Sequence, residues 1–516
     1  TDDGRIHVTQ DGGETWKSVE KKARKAPKNA FIPHITPSLY NADEAFIVFD
    51  NHRRGDMSPY IFKASKYGNK FTNLTAKNIK GYALSVQQDH VDEDLLFLGT
   101  ELGLYASTDA GDSWFKYDQG VPTVSVMDMA IQQRENDLVL GTHGRSIIVI
   151  DDYSALRGLS EDSFKAPLKL LSVSDGQQYV TNRAPSSRFW GDAAYVGENE
   201  VYGATLTIMA SGEHLVHPDE DKEKARQLNK AAKAKAEKAK ADKNSADKKA
   251  DDKKPALSDK ARITVKNSQG EVVRTFVSKI KQGINRIAWG LESDGALDMP
   301  GDEPEEDKDI LAAGPEVVPG TYSITVKLNH HEFETTAQVL KDPRFNVSTQ
   351  DLTASYNLQH QAVDMYSTLT KAAHALVDSK KDVELIKAMA DKALGKLADD
   401  KSKATSTEKM LSTSADALIK KIAELDKSLR SIPKTNGIVD ESYKVSSKIF
   451  IAWGYAGSRY GKPSPTAELY LAQGKAALKK GIDEVNHFLA QDIAVFKQQY
   501  QQSGLGLLTT AAPIEY

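Results

Sequence analysis

The sequence predicts a multidomain β-plus-α protein: a partial β-propeller, then an immunoglobulin-like β-sandwich, then a C-terminal helical bundle. Three observations predict it. A turn rich in Gly, Asp and aromatic residues recurs within the first 152 residues, alternating apolar runs continue to about residue 347, and from Ser348 the apolar period lengthens to three and four. A chain of 516 residues, 40% of them hydrophobic, can build about three separate cores. The boundaries read as 1–152, 153–347 with an insert at 218–258, 348–505, and a tail at 506–516.

The first domain rests on the repeat. Thr9-Gln10-Asp11-Gly12-Gly13-Glu14-Thr15-Trp16 follows the strand Ile6-His7-Val8, and Ser107-Thr108-Asp109-Ala110-Gly111-Asp112-Ser113-Trp114 follows Gly103-Leu104-Tyr105-Ala106. Both fit Ser/Thr-x-Asp-x-Gly-x-Ser/Thr-Trp, and their Asp residues lie 98 positions apart. Between them, Ala64-Ser65-Lys66-Tyr67-Gly68-Asn69-Lys70-Phe71 keeps the Gly and the aromatic but carries Lys66 in place of Asp. Spacings of 55 and 43 residues suit a four-stranded propeller blade. In such a turn the carboxylate of Asp11 or Asp109 accepts backbone N–H groups, Gly13 or Gly111 tolerates the backbone, and Trp16 or Trp114 packs between neighbouring blades. These roles are structural, because one carboxylate is too few ligands for Ca²⁺. Three units plus a closing segment, Val126 to Asp152, fall short of a ring, which needs about four blades or more. The first two strands of unit one would precede Thr1, so the missing blades are expected upstream in a parent chain.

On a longer view the chain resembles the large exported bacterial sortilin-like Asp-box (BNR) propeller proteins, commonly labelled glycosyl hydrolases. The residues that carry the likeness are Gly4-Arg5-Ile6-His7-Val8, Asn51-His52-Arg53-Arg54 with Pro59-Tyr60-Ile61-Phe62-Lys63, and Gly99-Thr100-Glu101-Leu102-Gly103-Leu104-Tyr105. Gly141-Thr142-His143-Gly144-Arg145 with Asp151-Asp152, Val272 to Phe276, Gly283 to Trp289, Pro319-Gly320-Thr321-Tyr322 and Asp342-Pro343-Arg344 continue it. The resemblance covers roughly residues 1–210 and 260–360, with this chain matching the C-terminal part. It implies the architecture, export to the periplasm or the outside, and a carbohydrate-related role.

The sandwich is read from alternation in Ala204 to Met209, Ile263-Thr264-Val265, Val272 to Phe276 after the turn Asn267-Ser268-Gln269-Gly270, and Tyr322 to Leu328. Its expected role is that of a spacer. The insert from Pro218 to Ser258 is dominated by Lys, Ala, Asp and Glu and predicts a solvated loop or frayed helix, and Gly301 to Asp309 a shorter acidic loop. Helices follow. Ser348 or Thr349 caps the stripe Leu358, Ala362, Met365, Leu369, Ala372 and Leu376. A second stripe is Leu418, Ile422, Leu425 and Leu429, stopped at Pro433, and a further helix lies near Tyr443 to Trp453. A long last helix starts at Ser464-Pro465 and carries Leu471, Leu478, Ile482, Val485, Leu489, Phe496 and Tyr500.

Two clusters offer chemistry. Asp50-Asn51-His52-Arg53-Arg54-Gly55-Asp56 holds two carboxylates flanking a histidine and two arginines. Asp50 and Asp56, with His52, are the catalytic candidates for a glycosidase, whose two carboxyl groups stand about 5–10 Å apart, one of them holding a proton. His52, Arg53 and Arg54, with His143 and Arg145, are the binding candidates. His143-Gly144-Arg145 reads as a turn with a bridging Arg before a buried strand, and also fits an anion clamp. His330-His331 reads as a surface turn.

Several classes are excluded. No cysteine means no disulfide, thiol nucleophile or cysteine zinc site, and no companion module of a true sortilin receptor. A net charge of −4 argues against a nucleic-acid partner, and no apolar run reaches the roughly 18 residues of a membrane span. Gly-x-Ser-x-Gly, P-loop and His-Glu-x-x-His patterns are missing, and no cofactor or metal is expected. The expected function is glycan or peptide binding and scaffolding. Hydrolysis with carboxylates partly on upstream blades is the alternative, and an accessory subunit docking a protein through its helices is the third.

Overall fold

The computed structural model describes residues 2–181, 201–218, 220–241, 257–301, 309–397, 406–431 and 440–505. Pro433, the tail, residues 302–308 of the acidic loop and 242–256 of the insert lie outside them.

The first domain is a propeller-like run of four antiparallel sheets, each a meander. β1 (His7–Val8) and β2 (Lys17–Ser18) form a hairpin. β3 (Phe31–Pro37), β4 (Ala45–Asp50), β5 (Tyr60–Ser65) and β6 (Lys70–Asn73) form the second sheet in that order. β7 (Ala83–Gln88), β8 (Leu96–Thr100), β9 (Gly103–Ser107) and β10 (Phe115–Tyr117) repeat the pattern, and β11 (Val126–Gln132), β12 (Asp137–Thr142) and β13 (Ile147–Ile150) form the fourth sheet. The first strands β3, β7 and β11 are neighbours: Thr36 Oγ1 donates to Val86 O at 2.6 Å, Ser85 Oγ to Val126 O at 3.4 Å, and His34 Nε2 stands 3.5 Å from Asp128. Separate apolar cores fill the gaps between successive sheets, with Phe46, Val48 and Ile61 meeting Val86, Leu96 and Leu98 in one, and Leu95, Phe97 and Leu104 meeting Met129, Leu138 and Leu140 in the next.

The turns between third and fourth strands carry one hydrogen-bond pattern. Asp11 Oδ1 accepts from Thr9 Oγ1 (2.7 Å) and Thr15 N (2.9 Å), and Asp109 Oδ1 accepts from Ser107 Oγ and Ser113 N at the same distances. Donation from Thr15 chiefly, from its hydroxyl and backbone, holds Asp11 well below the usual carboxylate range. In the intermediate turn, where Ala64 stands in place of Thr9 or Ser107, Asp43 of the facing loop accepts from Lys66 N at 3.1 Å, the N–H that the hydroxyl takes in the other two turns.

The tryptophans differ, and the expectation for Trp16 is corrected. Trp114 is 4% exposed and donates Nε1–H to Leu74 O of the preceding sheet at 2.9 Å. Trp16 is 60% exposed and donates to Gly13 O of its own turn. A side-chain carbon on Gly68 or Gly111 would sit 2.8 Å from Val19 or 2.9 Å from Leu74, each on the sheet before. Gly13 meets nothing but Trp16, since no sheet stands before the first hairpin among the described residues. The fourth sheet mirrors this. β13 is expected to be buried, yet Ile147 and Val149 are 68% and 50% exposed, because among the described residues only the opposite face of the sheet has a neighbour.

The second domain is a two-sheet sandwich. β14 (Leu168–Val173), β16 (Ala204–Ala210) and β19 (Gly283–Trp289) face a sheet ordered β15 (Gly176–Gln177), β23 (His331–Leu340), β22 (Gly320–Leu328), β17 (Lys260–Lys266) and β18 (Val272–Lys279). Leu206, Ile208 and Trp289 pack against Ile263, Ile324 and Val326 between them. β20 (Glu292–Asp294) and β21 (Ala313–Glu316) pair beside the sandwich. His330 and His331 sit at the exposed turn after Asn329. The insert begins as α1 (Glu220–Ala241), a polar helix with Leu228 exposed.

The helical domain comprises α2 (Thr349–Leu397), α3 (Ser406–Leu429), α4 (Val445–Ala456), α5 (Pro465–Phe488) and α6 (Ala494–Ser503). Ser348 Oγ accepts from Asp351 N at 3.1 Å, so the cap expected there forms, and Ser464 Oγ caps the helix that starts at Pro465 by accepting from Ala467 N at 3.1 Å. The expected apolar stripes share one core, with Met365, Leu369 and Leu376 against Ile422, Ile449, Leu471 and Val485.

Candidate functional site

In each four-stranded meander the loop after the second strand and the segment entering the next sheet come out at the same end. That end gathers 51–59, 101–102 and 143–146 with 23–30, 74–82 and 118–125. A continuous set of contacts crosses it. Arg54 Nη1 donates to Lys28 O (3.0 Å), and the His52 ring stacks on Tyr82 at 4.2 Å and 16°. Glu101 N donates to Tyr82 O (3.1 Å), Ser125 Oγ to Glu101 O (3.1 Å) and His143 N to Ser125 O (2.9 Å). The two clusters singled out in the sequence therefore share one rim. The Asp11 and Asp109 turns lie at the opposite end.

Asp50 ends β4 and is buried. Its carboxylate accepts from the backbone N–H of His52 (2.9 Å) and from the ring Nδ1–H (2.7 Å), which leaves Nε2 as the outward nitrogen. Asp56 accepts from Tyr60 OH (2.9 Å), Ser58 N (3.1 Å) and Asn51 Nδ2 (3.2 Å). Burial works against its ionisation, but Tyr60, Ser58 and Asn51 outweigh it and the pKa is lowered. A glycosidase acid needs the opposite shift. Neither carboxylate is arranged to donate a proton.

The cations are arranged otherwise. Arg53 is exposed with its guanidinium 5.6 Å from the centre of the Phe31 ring, and Arg54, Lys28, Lys77, Lys80 and Arg145 are exposed on the same end. His143 and Arg145 stand in solvent, and Arg145 bridges nothing among the described residues, so the expected bridging Arg is corrected to a free guanidinium. Sequence reading missed Tyr82, Glu101, Phe31 and Lys28. The aromatic and basic residues between strands were the available signal, but their pairing arises only from sheet-to-sheet packing.

The fold and rim define a multidomain protein with a propeller-like arc whose loops present cations and aromatic rings. No protein-family model matches the chain, and no curated protein matches it. Among solved structures it is similar to the GH74 xyloglucanase from Xanthomonas campestris (15% identity over 29% of this chain and 24% of that one, TM-score 0.24). It is also similar to the Niastella koreensis GH74 enzyme (12%, 66% and 51%, 0.24) and to YCF48 bound to D1 peptide (9%, 65% and 74%, 0.20). The chain spans about a quarter and a half of the lengths of the two hydrolases. TM-scores of this size define no common fold.

Proposed function

We propose that the protein is an exported binding scaffold that holds a glycan or peptide ligand bearing acidic groups on the rim, through Arg53, Arg54, His52, His143 and Arg145. One observation carries this reading: the cations of the rim face solvent while Asp50 and Asp56 are committed as acceptors. Exposed guanidinium groups beside aromatic rings suit carboxylates or sulfates on an extended ligand. Hydrolysis is the disfavoured alternative, since the hydrogen bonds at Asp56 tune it away from acid catalysis.

The bare faces at Trp16 and at Ile147 and Val149 support a second part of the proposal: further blades of an Asp-box propeller, from the parent polypeptide, cover both. The immunoglobulin-like sandwich acts as the spacer. The exposed Phe450, Tyr455 and Leu469 of the helical domain support docking of a protein partner.

The test is titration of acidic oligosaccharides and acidic peptides against the intact protein and the double variant Arg53→Ala/Arg54→Ala. Affinity should fall by about tenfold or more in the variant and decline with added salt. Equal affinity in both proteins would show that the ligand does not bind through the rim.

A further inference from the structure

The sandwich and the helical domain meet along two polar clefts that share a wall. One, of about 360 Å³, lies among Tyr179, Glu316, Ser355, Gln359 and Arg459. The other, of about 400 Å³, lies among Asn267, Gln269, Glu271, Thr321 and Asn357. Val318, Pro319 and Tyr356 line both, so they form one groove with Tyr356 at its middle.

The walls are tied before any ligand arrives. Gln178, buried, donates Nε2–H to Val317 O at 2.7 Å and accepts from Tyr460 OH at 3.2 Å, and Tyr460 OH accepts from Asp342 N at 3.0 Å. These bonds join the sandwich to the loop after α4, so the groove is preorganised.

We propose that this groove binds a neutral oligosaccharide, at a site separate from the rim. The lining is rich in amides, hydroxyls and tyrosines, and these groups match a sugar's alternation of hydroxyl donors and acceptors with an apolar ring face. Arg459, exposed and unpaired among the described residues, donates, and Glu316 accepts. Glu316 Oε1 accepts a hydrogen bond from the Tyr202 hydroxyl, and desolvation by its neighbours pushes its carboxyl up to about 7. The volumes suit one or two sugar rings in each cleft. A peptide would need deep apolar pockets for its side chains, and the lining here is mainly polar and aromatic.

The test titrates cello-, xylo-, malto- and mannotetraose against the full chain and Arg459→Ala, with amide exchange to locate the site. The groove predicts that one of these sugars binds without salt dependence, about tenfold more weakly in Arg459→Ala, and protects residues 316–319 and 457–461. Arg459 is exposed, so its variant keeps the fold. The proposal is overturned if none of the four binds at about 10 mM, if Arg459→Ala binds as tightly as the wild type, if protection falls on 51–56 and 143–146 instead, or if an uncharged peptide protects the groove where no sugar does. Because the rim is probed with acidic ligands and protects other segments, failure of either site is distinguishable from failure of the other.

Discussion

Asp89→Ala is expected to destabilise the protein by about 3–5 kcal/mol, the scale for stranding one partner of a buried ion pair. Asp89 follows β7 directly and is fully buried. Its carboxylate accepts from Arg157 Nε (2.8 Å) and Nη2 (2.9 Å), Tyr153 OH (2.5 Å), and the backbone N–H of Val91 (3.1 Å) and Asp92 (2.8 Å). Among the described residues, removal would leave the Arg157 guanidinium with Asn136 Oδ1, at 2.7 Å, and the Tyr153 hydroxyl with His90 Nδ1, at 3.2 Å, in place of a carboxylate. The same cluster fastens residues 153–158 to the third sheet, where Tyr153 packs edge-on to Phe97 at 5.0 Å, and so sets how the chain leaves the propeller-like arc. Urea unfolding followed by far-UV circular dichroism checks the loss. A cycle with Arg157→Met should show the two effects to be strongly non-additive.

The pH dependence has a definite sign. Burial opposes ionisation of Asp89, but the Arg157, Tyr153 and Asp92 hydrogen bonds outweigh it and hold the pKa at about 2, below its ordinary value of 3.8. A depressed folded-state pKa gives stability that is present above 3.8 and lost as pH falls through about 2. Asp89→Ala should therefore unfold at acid pH with less pH dependence between those values than the wild type.

Trp114→Ala should cost about 3–5 kcal/mol, while Trp16→Ala should stay within about 0.5 kcal/mol in this chain. Both residues occupy the last position of the same turn. Trp114 loses its packing against Phe46, Leu74 and Ile79 and strands the Leu74 carbonyl, whereas Trp16 touches solvent. Thermal unfolding of both variants measures the contrast. If further blades cover the first hairpin, Trp16→Ala should instead weaken assembly with them. Equal destabilisation by both variants would show that Trp16 is already packed.

The repeat was legible because each turn is built within eight consecutive residues, so hydroxyl, carboxylate, glycine and tryptophan can be read from spacing alone. The helices were legible for the same local reason, down to the cap at Ser348 and the start of the last helix at Ser464-Pro465. What Trp16 touches was not, because the turn does not encode its neighbour. Nor was the part of Asp43, which accepts the Lys66 N–H in place of the hydroxyl missing at Ala64 and lies on a loop 23 residues earlier. Arg157 reaches Asp89 across 68 residues, and the groove draws on the chain near 178, 268, 318, 356 and 459. Such constellations leave no pattern in a single sequence. The clusters at 50–56 and 143–145 were found by residue type, but their joining into one rim passes through Tyr82, Glu101 and Ser125, mostly by backbone contacts that any residue provides.

On the proposed function the rim binds its ligand without cutting it. The most direct measurement pairs two readouts on one glycan panel, ligand bound and reducing ends released, for the wild type, Asp50→Asn and Asp56→Asn. The wild type should bind and return its ligand uncut, and Asp50→Asn, which replaces the carboxylate holding the His52 ring by a neutral amide, should weaken binding. Release of sugar by the wild type, abolished by either substitution while binding persists, would contradict it and assign those carboxylates to catalysis.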